Sequence, residues 1–215
     1  MIERVRQALG DTSFEIIIVD DDSPDGTAEA ARAIGAVDAR VRCLRRVGRR
    51  GLSGACIEGM LASQARYAAV MDADLQHDEW LLKPMLAKLR NDEADIVVGS
   101  RYTEGGAADG FSSRRKWISS LGTQAANSVL GRKLSDPLSG FFMLRRSVVE
   151  QAAPKLSTQG FKILLDIVTT AGASLRVAEL PYQFAPRHSG TSKLDPRTML
   201  DYAGLLLAKS TSDLV

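Results

Sequence analysis

Cysteine and histidine are scarce in this sequence, which has two residues of each type among 215. The cysteines, Cys43 and Cys56, show no Cys-x-x-Cys spacing and have no histidine pair nearby. A metal site built from thiolates and imidazoles is therefore not expected. We expect both thiols to be small core residues of a protein in a reducing compartment.

Long hydrophobic runs are also lacking. No stretch approaches the roughly 20 apolar residues of a membrane-spanning helix, and the N-terminus lacks the apolar segment of a signal peptide. We therefore expect the chain to be soluble. Residues 196–215 place several apolar side chains on one broad helical face. That face either caps the core or lies on a membrane, and its weakly basic polar side favours the core cap.

No strong excess of one charge is present. The formal net charge is +2, which gives no bulk electrostatic argument for nucleic acid binding. The length of 215 residues and the 45% hydrophobic content fit one globular domain that spans residues 1–215. A Gly-x-Gly-x-x-Gly turn does not follow the first predicted strand, which argues against an ordinary dinucleotide-binding dehydrogenase.

Strand and helix signals alternate along the chain. The run Glu15-Ile16-Ile17-Ile18-Val19 is typical of a parallel strand that is covered on both faces. Further strands are predicted at 41–44, 68–71, 95–99, 141–144 and 175–184, and helices at 28–34, 53–66, 79–90 and 161–171. This order predicts an α/β fold with a mixed, mainly parallel sheet flanked by helices.

The sequence Asp72-Ala73-Asp74 ends the apolar run 67–71. Alternate residues of an extended chain share a face, so the two carboxylates are expected to point the same way. Two hard oxygen donors, with Gln76 two positions further on, suit Mg²⁺ or Mn²⁺ better than zinc. We predict a divalent metal site here whose coordination is completed by a diphosphate.

Several motifs occur in a specific order along the chain. They are Val19-Asp20-Asp21-Asp22-Ser23-Pro24-Asp25-Gly26-Thr27, Gly51-Leu52-Ser53-Gly54-Ala55, Asp72-Ala73-Asp74-Leu75-Gln76-His77, Gly99-Ser100-Arg101-Tyr102, Asp136-Pro137-Leu138-Ser139-Gly140-Phe141 and Arg187-His188-Ser189-Gly190-Thr191-Ser192-Lys193. With them the chain resembles the family 2 glycosyltransferases of GT-A fold. The resemblance is greatest to the polyprenyl-phosphate branch that includes the dolichol-phosphate mannose synthases, and it extends from about Phe14 to Ala208.

The resemblance implies a donor site for a nucleotide sugar. Val19 and Asp21 would meet the base and ribose, while Arg187 and Lys193 would clamp the diphosphate from a loop. Metal ligands would be Asp72, Asp74 and Gln76. The implied donor-binding set is Val19, Asp21, Asp72, Ala73, Asp74, Gln76, Arg187 and Lys193.

The resemblance also implies a site for an acceptor phosphate, formed by Arg101, Arg115 and Ser119. Asp74, Arg101 and Arg115 would be the catalytic residues of an inverting transfer that forms no glycosyl-enzyme intermediate. A phosphate is already anionic near neutral pH and has little need of a general base. For Asp136 two readings stay open, a residue of the sugar or acceptor pocket and a turn-capping residue before proline.

The chain departs from the family at its beginning. Members normally open with an apolar strand, whereas residues 2–9 here are helix-like. We therefore expect a GT-A sheet without its usual first strand, and a chain truncated at the N-terminus. Many relatives continue beyond the catalytic domain into transmembrane helices, and we expect that such helices could follow this chain in a longer protein.

The implied function is metal-dependent transfer of a hexose to the phosphate of a polyprenyl or dolichyl phosphate, with mannose from GDP-mannose as the favoured donor. A transferase from UDP-glucose, or another UDP-hexose, to undecaprenyl phosphate is the first alternative. A non-catalytic fragment that binds a nucleotide or lipid phosphate is the second. The implied location is the cytoplasmic face of a membrane, as a peripheral protein or beside a membrane-embedded domain or partner. The Ala- and Arg-rich composition favours a bacterial source.

Overall fold

The computed structural model of the chain describes residues 1–103, 126–128, 130, 133–158, 160 and 162–183. Arg115, Ser119, Arg187, Lys193 and the apolar segment 196–215 lie outside the described residues. The predictions made for them stay predictions.

Helices and strands alternate as the sequence pattern predicts. Strands are β1 (Ile16–Asp20), β2 (Val41–Arg45), β3 (Tyr67–Val70), β4 (Ile96–Ser100), β5 (Phe142–Arg145) and β6 (Val177–Pro181). Helices are α1 (Ile2–Leu9), α2 (Thr27–Val37), α3 (Leu52–Ala62), α4 (Leu82–Arg90), α5 (Arg146–Ala152) and α6 (Ile163–Ala171), with 3-10 turns at Glu79–Leu81 and Ala153–Lys155. Each strand lies within about two residues of its predicted position, apart from the last, which is shorter.

The strands form two sheets. In one, β1 and β2 pair in parallel, with Ile16 opposite Val41. The other has the order β3-β5-β4-β6, in which β4 and β6 are parallel and β5 runs antiparallel to both β3 and β4. The architecture is therefore mixed α/β, with parallel pairs in both sheets.

The larger sheet is covered on both faces. Ile96 and Val98 of β4 face one core cluster with α3, α5 and α6, whereas Val97 faces a second cluster with α1 and α4. All three side chains are fully buried. Such alternation is the period-two pattern of a strand whose two faces are both buried.

A cavity of about 870 Å³ separates β1 from β3. It is lined by the 16–19 segment of β1, by β3, by Met1, and by Val5 and Leu9 of the first helix. The prediction that the Ile-rich strand is covered on both faces is wrong, since Ile16 to Val19 are only half-buried. The gap beside β1 agrees with a sheet that lacks one strand. Within the described ranges, no helix is both long and apolar enough to cross a membrane.

Candidate functional site

Polar side chains gather at one edge of the larger sheet. Strands β3 and β4 run in the same direction, because each is antiparallel to β5. Asp72 follows the end of β3 and Arg101 follows the end of β4, so both lie at the same sheet edge. Tyr182 follows β6 and donates its backbone N–H to the carbonyl of Ser100 (3.1 Å). Three strand ends therefore meet at this place.

The phenol of Tyr182 is influenced by the charged groups at this sheet edge. Burial raises the pKa of its phenol; Arg101 acts to lower that pKa, and the carboxylates of Asp136, Asp72 and Asp74 raise it further. The phenol is thus close enough to all four charged groups to respond to them. The structure thereby brings together the predicted metal ligands and the predicted acceptor arginine.

The segment after β3 makes a tight turn. Leu75 has a φ of +63°, an uncommon conformation for a bulky residue. Asp74 accepts a hydrogen bond from the backbone N–H of Gln76 through Oδ1 (3.2 Å). Asp72 keeps a side chain that is 44% exposed, while Gln76 is buried and Ala73 is exposed.

These residues suit a metal ion that takes further ligands from a substrate. In the part of the chain that the structure describes, no cluster of three or more His, Cys, Asp or Glu side chains could hold a metal by itself. Asp72 and Asp74 supply carboxylate oxygens, which Mg²⁺ and Mn²⁺ prefer. Mg²⁺ commonly takes one or two carboxylates and completes its shell with substrate phosphates and water. The donor set therefore fits the predicted ion.

Arg101, whose side chain is 18% exposed, forms a bidentate ion pair with Asp136. Nε and Nη2 of the guanidinium donate to Oδ2 and Oδ1 of the carboxylate, at 2.7 and 2.9 Å. Asp136 is 1% exposed. Burial acts to lower the pKa of Arg101, but the hydrogen bonds and charge of Asp136 outweigh it, so the pKa lies above its ordinary value. Asp136 thus fixes the orientation of the arginine.

Glu179 of β6 holds the segment that carries Asp136. Its carboxylate accepts bonds from the backbone N–H and hydroxyl of Ser135, at 3.0 and 2.7 Å, and from the N–H of Asp136 at 3.2 Å. Sequence reasoning missed this residue. Its only signal is a single acid within the otherwise apolar strand Val-Ala-Glu-Leu-Pro.

Asp21 is held by protein groups. Oδ1 accepts from Nη1 of Arg46 and Oδ2 accepts from the backbone N–H of Gly51, both at 2.7 Å. The Arg46 side chain is only 4% exposed and also donates to Glu58 at 3.1 Å. A carboxylate has about four acceptor positions, so these bonds leave Asp21 able to accept from a ligand.

Val19, predicted to meet the nucleotide base, lines the cavity beside β1. Its side chain packs on α3, where a Cβ added at Gly59 would lie 2.8 Å from Cγ2 of Val19. Cys56 of the same helix is close enough to the acids that follow β1 and β3 to respond to their charges. The pKa of its thiol is raised to about 12, first by burial and then by the carboxylates of Asp72 and Asp21. That thiol is a core group, as the sequence predicts.

Lys162 is a second residue that sequence reasoning did not assign to the site. It directly precedes α6, and its pKa is lowered to about 8 by burial first and then by Arg101, against the opposing effect of Asp136 and Asp72. Asp166, one helical turn further on, uses its carboxylate to accept from the backbone N–H of Ser157 at 2.7 Å. Lys162 is therefore near enough to Arg101, Asp136 and Asp72 to respond to their charges.

Comparison with known proteins gives one family and a consistent set of relatives. The model of "Glycosyl transferase family 2" matches residues 1–152. A dolichol-phosphate mannosyltransferase of Pyrococcus furiosus is 38% identical over 204 residues, which cover 94% of this chain and 56% of that protein. Proteins of the same name from Mycosarcoma maydis and Saccharomyces cerevisiae are 37% and 34% identical, and 87% of this chain aligns with 64% and 71% of their lengths. The chain thus spans only part of its curated relatives.

Solved structures share the fold. Glucosyl-3-phosphoglycerate synthase from Mycobacterium tuberculosis, in complex with Mn²⁺, UDP-glucose and phosphoglyceric acid, aligns with a TM-score of 0.69. The alignment covers 97% of this chain and 74% of that one at 19% identity. At this identity the likeness concerns the fold alone, and it agrees with the GT-A architecture that the sequence motifs predict.

Proposed function

The chain belongs to glycosyl transferase family 2, and from this premise we propose that it transfers mannose from GDP-mannose to the phosphate of a polyprenyl or dolichyl phosphate. The observation that carries the proposal is the shared sheet edge, where two carboxylates suited to a metal follow β3 and an arginine oriented by Asp136 follows β4. The names of the three curated relatives support the choice of donor and acceptor.

The donor half of the site would bind the nucleotide diphosphate. Asp72 and Asp74, with Gln76, would hold Mg²⁺ or Mn²⁺, and the bound ion would neutralise the charge that develops on the departing diphosphate. Asp21, held by Arg46 and Gly51, would accept bonds from the base or ribose. Arg187 and Lys193 are proposed to clamp the same diphosphate.

The acceptor half would orient a lipid phosphate. Arg101, oriented by Asp136, would bind the phosphate through its guanidinium, with Arg115 and Ser119 proposed as its partners. A phosphate oxygen would attack the anomeric carbon as the bond from that carbon to the diphosphate oxygen breaks, which inverts the configuration. The acceptor carries its own negative charge, so no side chain needs to remove a proton.

Transfer to a lipid phosphate would take place where that phosphate meets the membrane surface. We therefore propose that the protein acts at the cytoplasmic face, where its sugar nucleotide would be present. A bacterial source stays a prediction, since the relatives named above are archaeal and eukaryotic.

A transfer assay with two donors tests the proposal. Radiolabelled GDP-mannose and UDP-glucose are each incubated with polyprenyl phosphate and Mn²⁺, and label in the lipid phase is counted. We expect transfer from GDP-mannose, and a loss of about 10²–10³-fold in Asp74→Asn, the range for removing one electrostatic stabiliser of a transition state. Asp11→Asn, which makes the same chemical change in an exposed turn, should leave the rate unchanged.

Transfer from UDP-glucose alone would replace the mannosyl donor and leave the reaction class intact. The neighbour that was solved with UDP-glucose makes this the natural second donor. Binding of GDP without transfer from either donor would instead support a non-catalytic binding fragment.

A further inference from the structure

A buried histidine connects Tyr182 to the proposed metal ligand Asp72. His77 is 4% exposed. Its Nδ1 lies 3.0 Å from the hydroxyl of Tyr182, and its Nε2 lies 3.4 Å from Oδ2 of Asp72. The two ring nitrogens thus face two different partners, a phenol and a carboxylate.

The chemistry of these partners assigns the hydrogens. Asp72 as a carboxylate only accepts hydrogen bonds, so Nε2 must carry the hydrogen that lies between them. In a neutral ring Nδ1 is then the acceptor, and the hydroxyl of Tyr182 can donate to it. In a protonated ring both nitrogens donate, and Nε2 still donates to Asp72. The direction of the bond to Asp72 is the same in both forms.

Packing holds the imidazole in place. Its centroid lies 5.1 Å from that of Phe141 and 5.7 Å from that of Tyr182. The ring therefore has little freedom to turn away from Asp72.

The carboxylate of Asp72 is confined from a second direction. A Cβ added at Gly140 would lie 2.9 Å from Oδ2 of Asp72. The carboxylate thus has His77 and the backbone of Gly140 as its neighbours, while the side chain keeps an exposed side.

We propose that His77, supported by Tyr182, is a positioning residue that aims the Asp72 carboxylate at the metal. By donating to Oδ2, His77 leaves the other acceptor positions of the carboxylate for the ion. Partners behind a metal ligand fix its orientation, and their loss typically costs 10–100-fold in metal affinity. The inference rests on the proposed function, because that function makes Asp72 a ligand.

Metal affinity measured without turnover tests this inference. The dissociation constant of Mn²⁺ is determined from the electron paramagnetic resonance signal of the free ion, in the presence of GDP. His77→Phe keeps a ring against Phe141 but removes the donor, and we expect about 10–100-fold weaker binding. His77→Gln, whose amide N–H₂ can occupy the place of Nε2, should recover a large part of that loss.

Two further variants separate position from folding. Gly140→Ala adds a methyl group that meets only the flexible end of Asp72, so we expect an intact fold with weaker Mn²⁺ binding. Tyr67→Phe removes a phenol hydroxyl at the start of β3 and should bind Mn²⁺ as the parent does. Thermal unfolding followed by circular dichroism shows that each variant is folded.

The outcomes distinguish the two proposals. If the parent protein binds no Mn²⁺ with GDP, the proposed donor site is wrong and the inference fails with it. If the parent binds Mn²⁺ and His77→Phe binds equally well, only the positioning role is overturned. Equal losses in His77→Phe and His77→Gln would also overturn it, since the hydrogen bond would then not be the cause.

Discussion

The pKa of Lys162 leads to a prediction about stability and pH. Its pKa is lowered from 10.5 to about 8, first because the ammonium is buried and then because Arg101 is near. One pKa unit corresponds to 1.36 kcal/mol, so the charged form of Lys162 costs the folded state about 3 kcal/mol. Replacing Lys162 with Met removes the charge and keeps a side chain of similar length.

The sign of the effect follows from proton binding in the two states. Below pH 8 the folded and unfolded chains both carry the proton, and the cost of the buried charge is fully present. Between about pH 8 and 10.5 the unfolded chain holds a proton that the folded chain has released, so stability rises with pH. Above pH 10.5 both forms are neutral and the cost is absent.

We therefore expect Lys162→Met to be more stable than the parent at pH 7. This advantage in the free energy of unfolding should decrease by about 3 kcal/mol between pH 7 and pH 10.5. Urea denaturation at a series of pH values, with EDTA present, measures the free energy of unfolding of both proteins. Other titrating groups are common to the two proteins, so their contributions largely cancel in the difference.

Lys83→Met is the matched control, because Lys83 is exposed on α4. Its difference from the parent should not vary with pH over the same range. If the difference in free energy of unfolding between Lys162→Met and the parent is also independent of pH, the ammonium is not buried beside Arg101. The placement of Lys162 in the site is then refuted.

Two further predictions concern the ion pair and the strand gap. Asp136→Asn leaves Arg101, whose side chain is 18% exposed, without its carboxylate and should lower the free energy of unfolding by about 2–3 kcal/mol. Asp92→Asn, at a carboxylate that is 71% exposed, should cost less than about 1 kcal/mol. Equal effects of the two substitutions in urea denaturation would contradict the burial of Asp136. In β1 the N–H of Ile16 donates to Arg40 (2.7 Å), so the N–H of Ile18 also faces β2 while those of Ile17 and Val19 face the cavity. Amide hydrogen exchange should be faster at Ile17 and Val19 than at Ile16 and Ile18, and uniform protection would mean that a partner fills the gap.

Local patterns in the sequence predicted the elements well. Val97 and its neighbours in β4 are apolar because both faces of that strand are buried, and such a run identifies a strand without any knowledge of its partners. The acidic turn after β3 was also readable, since Asp72 and Asp74 follow a strand directly. Strands and turns that depend only on neighbouring residues can therefore be predicted from the sequence.

Contacts between distant residues could not be read in this way. Arg101 and Asp136 are 35 positions apart and His77 and Tyr182 are 105 apart, and no period or spacing predicts which of many polar residues will meet. The half-burial of β1 depends on whether a strand lies beside it on the side away from β2. The β-branched residues of β1 do not show whether such a neighbour is present. Glu179 likewise looks like any acid until the backbone N–H groups of Ser135 and Asp136 are found around it.

Arg101 and Lys162 differ in a way that matters for the proposed binding of a phosphate. Arg101 is compensated by Asp136, so its orientation is set before any ligand arrives and little freedom is lost on binding. The charge of Lys162 is disfavoured by burial and by Arg101. A phosphate anion beside Lys162 would raise its pKa toward the ordinary value, because an opposite charge favours the ammonium. Anion binding should therefore be accompanied by proton uptake above pH 8. In the proposed site Arg101 would orient the phosphate, and the phosphate would relieve the cost of the charge on Lys162.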